Sequence, residues 1–310
     1  TALADVVRFK GLPLSEPMCF GLGAGLAFYY LPSGEGPSRV FYGRTATMEE
    51  DFCRLLGLGF LEQTEPDERL AWERVREKVD ANDPVILSTD LRYLPYYRTR
   101  TAFNGHRVVL AGYDAERGTA LLADTEREGL QEIALADLAR ARTSDGPPAG
   151  LQYSPWWEIS VAHGARSPGD AAPEALALAA RRALEDVTGF GGCDALARMA
   201  DELPRWRDLP DLPAVARAGY QMIEKRGTGG ALFSRLYARF LDELSRAAPA
   251  LPVEGLGLAM HRLADDWTAL ALALRDVAEG AGALPRCAGL AQRLADGERA
   301  FFEELRGRFS

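Results

Sequence analysis

The sequence predicts an α+β fold for the first half of the chain and an all-α fold for the second half. Short apolar runs bounded by Gly, Pro or Asp recur through residues 1–162, which is the pattern of buried strands. Residues 171–310 are instead rich in Ala, Leu, Arg and Glu, with apolar residues at helical spacing and no strand pattern. This change in pattern predicts two domains, 1–162 and 171–310.

Four apolar runs in the first half are predicted strands of an antiparallel sheet. They are residues 85–87, 108–110, 121–123 and 159–161. Gly112, Asp114 and Gly118 tolerate the positive φ of tight turns, so the second and third runs are predicted to form a hairpin.

Prolines divide the second half, because proline ends a helix interior. They are Pro204, Pro210, Pro213, Pro249, Pro252 and Pro285, and they predict four or five helices. The small and polar residues 163–170 (HGARSPGD) are the predicted linker between the two domains.

The composition excludes several classes of function. The net charge of -9 and the pI near 5.1 argue against a nucleic-acid partner, which requires a concentrated positive surface. No apolar run approaches the roughly 20 residues that span a bilayer, so no membrane association is predicted. The four cysteines are widely spaced, which indicates neither a zinc site nor a disulfide framework. A reducing cytoplasmic location is therefore expected.

Catalytic chemistry requires groups that titrate or attack, and the chain has three histidines. His106 opens a predicted strand in residues 103–114 (FNGHRVVLAGYD), and Asp124 follows the next strand 18 residues later. Adjacent antiparallel strands can bring the two side chains together, so that the carboxylate orients the imidazole. His163 and His261 are predicted to be surface or packing residues.

The spacing alone is also compatible with purely structural roles for both residues. His106 would then be a capped strand residue and Asp124 a turn former. Two interpretations likewise apply to the tyrosines in residues 90–97 (DLRYLPYY), which either line a substrate pocket or form a half-buried strand end. The predicted substrate-binding residues are Tyr93, Tyr97 and Asn104.

Three motifs in order resemble the butirosin biosynthesis protein H family. They are residues 11–30 (GLPLSEPMCFGLGAGLAFYY), residues 90–97 and the Gly105-His106 strand, and the resemblance covers roughly residues 1–162. Residues 227–241 (GTGGALFSRLYARFL) are similar to the helical domain of unknown function that commonly follows this domain.

This resemblance implies a papain-like, cysteine-peptidase-like fold in which a cysteine at the start of the first helix attacks a thioester. It implies transfer of an acyl or aminoacyl group to an amine in antibiotic biosynthesis, with no metal and no organic cofactor. The implied partners are an acyl carrier protein with a phosphopantetheine-linked donor and a small-molecule amine. The family histidine corresponds to His106 and its acidic partner to Asp124. A homodimer is compatible with the sequence.

The nucleophile has three candidate positions. The family pattern places its cysteine a few residues before Thr1, where a helix N-terminus and His106 would activate the thiol. Thr1 could itself attack, with its own amine as base. Cys19 is the third candidate, although its apolar neighbours are typical of an inert core cysteine.

Three functions therefore stay open. The first is a carrier-protein-dependent acyltransferase, and the second is an amidohydrolase or peptidase with the same site. The third is a non-catalytic binding protein that has lost its nucleophile. Two interpretations apply to residues 227–230 of the helical domain: they lead into a helix that packs in the core, or they close over the site as a substrate lid.

Overall fold

The computed structural model describes residues 1–34, 36–125, 127–147, 149–161, 164–186 and 188–309. The chain divides into two compact units, each built from two segments. The sheet unit comprises Thr1–Cys19 and Gly57–Ala165, and the helical unit comprises Phe20–Leu56 and Arg166–Ser310. The predicted domain bounds, 1–162 and 171–310, assume contiguous domains and stay a prediction.

The elements are numbered in chain order. The strands are β1 (Leu26–Pro32), β2 (Arg39–Arg44), β3 (Gly59–Gln63), β4 (Val85–Asp90), β5 (Asn104–Asp114), β6 (Thr119–Ala123), β7 (Leu130–Ala134) and β8 (Trp156–Ser160). The helices are α1 (Ala2–Phe9), α2 (Glu16–Leu22), α3 (Met48–Leu56), α4 (Glu68–Asp80), α5 (Leu135–Arg142), α6 (Pro168–Leu184), α7 (Gly192–Glu202), α8 (Leu212–Glu224), α9 (Ser234–Ala247), α10 (Leu256–Ala278) and α11 (Leu284–Phe309).

The sheet unit contains a six-stranded antiparallel sheet in the order β3-β8-β4-β5-β6-β7. The four predicted strands lie in β4, β5, β6 and β8, and the α+β prediction is confirmed. The two edge strands, β3 and β7, were not predicted. Their residues are largely exposed, so they lack the continuous apolar run that marks a buried strand.

The core of the sheet unit lies between the sheet and the helices α4 and α5. It consists of Val75, Val85, Leu87, Leu94, Val108, Leu110, Ala120, Leu122, Ile133, Leu138, Ala141 and Trp156. Alternate residues of β4, β5 and β6 point into this cluster, as the period of a strand requires. Strand β4 is buried along its whole length, which explains its apolar run.

The helical unit contains the β1–β2 hairpin and seven of the helices described above. In this unit α10 packs against α8, α9 and α11. Six α-helices follow residue 167, although the prolines predicted four or five. Pro213 and Pro285 each occupy the second residue of a helix, where the missing N–H has no intrahelical partner. Two further helix boundaries, at residues 185–191 and 225–233, contain glycines and no proline, so the prolines do not mark them.

Over the described residues, no helix is both long enough and apolar enough to cross a membrane. Within the same ranges, no cluster of three or more His, Cys, Asp or Glu side chains is arranged to hold a metal ion.

Candidate active site

His106 is positioned by a bulge at the start of β5. Thr89 of β4 pairs with His106, and the next residue, Asp90, pairs with Asn104, so Gly105 is the extra residue on β5. Gly105 has φ +98°, a conformation that disfavours other residues. The Thr89 hydroxyl donates to the His106 carbonyl at 3.0 Å, which holds the backbone beside the bulge. The glycine before the histidine thus controls where the imidazole points.

Asp124 reaches the imidazole from the neighbouring strand. Antiparallel pairing of β5 and β6 ends at Val109 and Ala123, and Asp124 follows immediately. Its Oδ2 lies 2.8 Å from Nε2 of His106. The Asp124 side chain is 1% exposed and that of His106 is 16% exposed. The structure therefore brings together the histidine and the carboxylate that the sequence paired.

Two tyrosines hold the carboxylate from the other side. The Tyr96 hydroxyl donates to Asp124 Oδ2 at 3.0 Å, and the Tyr97 hydroxyl lies 3.1 and 3.2 Å from the two oxygens. Burial, together with the charge of Asp124, raises the pKa of the Tyr96 phenol well above its usual range. The Tyr96 hydroxyl therefore remains a protonated donor, and the hydroxyl contacts of both tyrosines stabilise the carboxylate.

Tyr97 also contacts the imidazole itself. Its ring meets the ring of His106 edge to face, with centroids 5.4 Å apart and planes at 84°. Its hydroxyl lies 3.3 Å from Nε2 of His106, and the Arg127 guanidinium lies over the Tyr97 ring at 4.3 Å. Tyr97 therefore restricts the imidazole to one orientation.

These contacts assign separate roles to the two ring nitrogens. Because Asp124 accepts the proton of Nε2, the neutral imidazole carries its lone pair on Nδ1. No described residue hydrogen-bonds Nδ1. The arrangement can therefore take a proton at Nδ1 from a nucleophile while Asp124 stabilises the resulting imidazolium.

Helix α1 begins near this site. It packs against β4 and β5. Asp5, in its first turn, is half-buried, and this burial raises the pKa of its carboxyl, with smaller raising contributions from the charges of Glu16 and Asp124. Thr1 is the residue that caps α1, and its hydroxyl is buried without a hydrogen-bond partner among the described residues. The electrostatic interaction between Asp5 and Asp124 places the first turn of α1 within range of this site.

The four cysteines are all reduced and buried. Burial raises the pKa of the thiols of Cys19, Cys53 and Cys193 to about 12, and that of Cys287 to about 11. A thiol with such a pKa carries almost no thiolate at neutral pH. This chemistry argues against Cys19 as the nucleophile.

Two of the three predicted substrate-binding residues lie apart from the pair. The Asn104 amide donates to the carbonyls of Ser144 and Gly150 at 2.8 and 2.6 Å, and its oxygen accepts from the Gly105 N–H. Tyr93 packs against the core of the sheet unit. Substrate contact by Tyr93, Tyr97 or Asn104 stays a prediction.

Asp90 is a buried carboxylate that the sequence did not single out. One oxygen accepts the backbone N–H groups of Arg92 and Phe103, and the other accepts the Ser144 hydroxyl at 2.7 Å. Asp90 and Asn104 thus both hydrogen-bond to the loop that follows α5, residues 144–150. The available signal was an aspartate three residues after the apolar run 85–87.

Two family models match the chain, one after the other. Residues 1–125 match the family described as Butirosin biosynthesis protein H, N-terminal. Residues 136–305 match the Domain of unknown function (DUF4872), so the second match starts inside the sheet unit and includes β8. No curated protein sequence matches the chain. With both matches in this order, the chain belongs to the family in which a butirosin biosynthesis protein H N-terminal region precedes DUF4872.

Proposed function

We propose that this protein is an acyltransferase of antibiotic biosynthesis that works through a covalent acyl-enzyme. The observation that carries the proposal is the 2.8 Å contact between His106 Nε2 and a buried Asp124, which leaves Nδ1 available as a base. The N-terminal family match supports the same reaction class.

The nucleophile in this proposal is a cysteine just before Thr1, at the N-terminal end of α1. His106 takes the thiol proton at Nδ1, and the thiolate attacks the carbonyl carbon of a thioester. The carbon–sulfur bond to the donor then breaks, and the departing thiol receives the proton from His106. The products of this half-reaction are an acyl-cysteine and a free donor thiol.

The second half-reaction regenerates the enzyme. The amine of the acceptor attacks the acyl-cysteine, and His106 accepts the proton that the amine loses. The enzyme sulfur leaves as a thiolate, and an amide is formed. An acyl carrier protein with a phosphopantetheine-linked acyl group is the proposed donor, and a small-molecule amine is the proposed acceptor.

The contacts of Asp124 support the proposed role of His106 as a base. Asp124 would stabilise the imidazolium, and the hydroxyls of Tyr96 and Tyr97 hold that carboxylate in place. Water attacking the same acyl-cysteine would yield a hydrolase, so the acceptor distinguishes the two activities.

The experiment is intact-mass analysis of the full-length protein incubated with an aminoacyl-pantetheine thioester. We expect a mass increase of one acyl group on a peptide adjoining α1, and loss of that adduct with amide formation when an amine is added. Loss of the adduct in water alone at the same rate would indicate a hydrolase. No adduct at any time would contradict the proposal and favour a binding protein.

A further inference from the structure

A groove on the sheet unit lies between α4 and α5. It has a volume of about 380 Å³, and its walls are largely apolar. Trp72 and Leu138 form part of these walls, and Glu68 and Arg69 lie at the exposed rim. None of His106, Asp124, Tyr96 and Tyr97 lines it. A concave apolar surface of this size matches the size range of small-molecule sites.

Arg142, the last residue of α5, places a buried positive charge at the groove. It lines the groove and is 6% exposed. Its hydrogen bond is from Nη2 to the Ser154 carbonyl at 3.1 Å, and its Nε is buried without a hydrogen-bond partner among the described residues. No described carboxylate lies within ion-pair distance of it.

An arginine in this setting is unusual, because buried charges in proteins are normally paired. Burial lowers the pKa of Arg142 to about 10, so the guanidinium still keeps its charge at neutral pH. Carbonyl oxygens at the end of α5 offset only part of that charge. A guanidinium has five donors, and most of those of Arg142 have no acceptor within the described structure.

The backbone beside Arg142 is also held in a rare conformation. Tyr153 and Ser154 both have positive φ, at 54° and 51°, although neither is glycine. This conformation directs the Ser154 carbonyl to the guanidinium. Such strain persists only where surrounding structure imposes it, and it is common at binding sites.

We propose that this groove binds a small carboxylate with an apolar body, whose carboxylate pairs with Arg142. The planar guanidinium matches a carboxylate with two parallel hydrogen bonds. Trp72 and Leu138 would cover the apolar body of the ligand. The proposal does not depend on the acyl-transfer site, and its test does not use acyl-transfer activity.

The test is calorimetric titration of the full-length protein with 4-phenylbutyrate and with its neutral analogue 4-phenylbutyramide. We expect the carboxylate to bind at least about tenfold more tightly than the amide, because a charge-assisted pair is lost with the neutral ligand. Equal affinities, or no binding of the carboxylate, would overturn the proposal.

Two variants, each with a matched control, test whether the ligand binds in this groove. Arg142→Met should remove the preference for the carboxylate, whereas Arg140→Met, an exposed neighbour paired with Asp137, should keep it. Ala139→Trp should fill the groove and abolish binding even if Arg142→Met fails to fold. Ala136→Trp, on the same helix but outside the groove, is its control. Undiminished binding by Ala139→Trp would contradict the proposed location.

Discussion

Each unit contains a His–Asp pair at nearly the same distance, yet the two pairs differ in their exposure to solvent. His106 and Asp124 in the sheet unit lie 2.8 Å apart with side chains 16% and 1% exposed. His261 and Asp242 in the helical unit lie 2.9 Å apart with side chains 41% and 40% exposed. Distance alone therefore does not identify a candidate catalytic pair.

The difference lies in what surrounds the carboxylate. Asp124 accepts hydrogen bonds from two tyrosines and is shielded from water, so its charge acts on His106 in a medium of low polarity. Asp242 faces solvent, where an ion pair is weak. The following predictions test this contrast, beginning with the largest expected effect.

Replacement of His106 should abolish acyl transfer, whereas replacement of His261 should not. We expect His106→Gln to lower the rate of acyl-enzyme formation by about 10²- to 10⁴-fold, the usual contribution of a general base. His261→Gln should leave the rate within about twofold. Rapid-quench mass analysis of the acyl adduct measures both, and circular dichroism checks that both fold. An active, folded His106→Gln protein would refute the role of His106.

Loss of the carboxylate should destabilise the sheet unit far more than the helical unit. Asp124→Ala leaves the buried hydroxyls of Tyr96 and Tyr97 without their acceptor, and we expect the free energy of unfolding to fall by about 3 kcal/mol. Asp242→Ala should change it by less than about 0.5 kcal/mol, because that pair is exposed. Urea denaturation measures the free energy of unfolding of both variants. Equal losses would contradict the expected difference between the buried and the exposed pair.

The helical unit contains a buried carboxyl group, that of Glu298, whose ionisation should lower the free energy of unfolding. Burial raises the pKa of Glu298 from 4.5 to about 7, partly opposed by the hydrogen bond from Trp267 Nε1 at 2.7 Å. Between pH 4.5 and about pH 7, Glu298 therefore keeps its proton in the folded protein and loses it in the unfolded chain. As far as this group is concerned, the free energy of unfolding should be greatest below pH 4.5 and should fall by about 3 kcal/mol as the pH rises from 4.5 through 7.

Glu298→Gln tests this linkage, because glutamine keeps an acceptor for Trp267 but cannot ionise. We expect the variant to lose this part of the pH dependence and to be more stable than the wild type at pH 8. Glu303→Gln, an exposed position on the same helix, should retain the wild-type dependence. Thermal unfolding between pH 5 and pH 8 gives the comparison, and identical curves for Glu298→Gln and wild type would exclude the linkage.

The smallest expected effect concerns the orientation of the imidazole. Tyr97→Phe removes the hydroxyl that contacts Asp124 and His106 but keeps the ring packed on His106. One hydrogen bond contributes about 1 kcal/mol, so acyl-enzyme formation should slow by roughly fivefold. Tyr113→Phe, whose hydroxyl binds Asp80 at the surface, is the matched control and should be unaffected. A slower Tyr113→Phe would indicate a general effect on stability.

Several features could be predicted from the sequence because they depend on neighbours in the chain. The hairpin of β5 and β6 joins strands through a short turn, so local pairing alone brings Asp124 next to His106. Apolar runs likewise indicated β4 and β8, and helical periodicity indicated the all-α second half. Tyr96 was considered with its neighbours, but its bond to Asp124 spans 28 residues and leaves no local pattern.

The sequence by itself therefore determined the fold class, the family and the histidine–carboxylate pair. Tertiary structure alone decided that residues 20–56 pack with the later helices and that β8 lies between β3 and β4. It also decided that Arg142 has no carboxylate partner among the described residues. These features arise from contacts between distant segments, whose formation depends on how all the apolar faces are buried together. No local propensity specifies such contacts, because the residues involved are far apart in the chain.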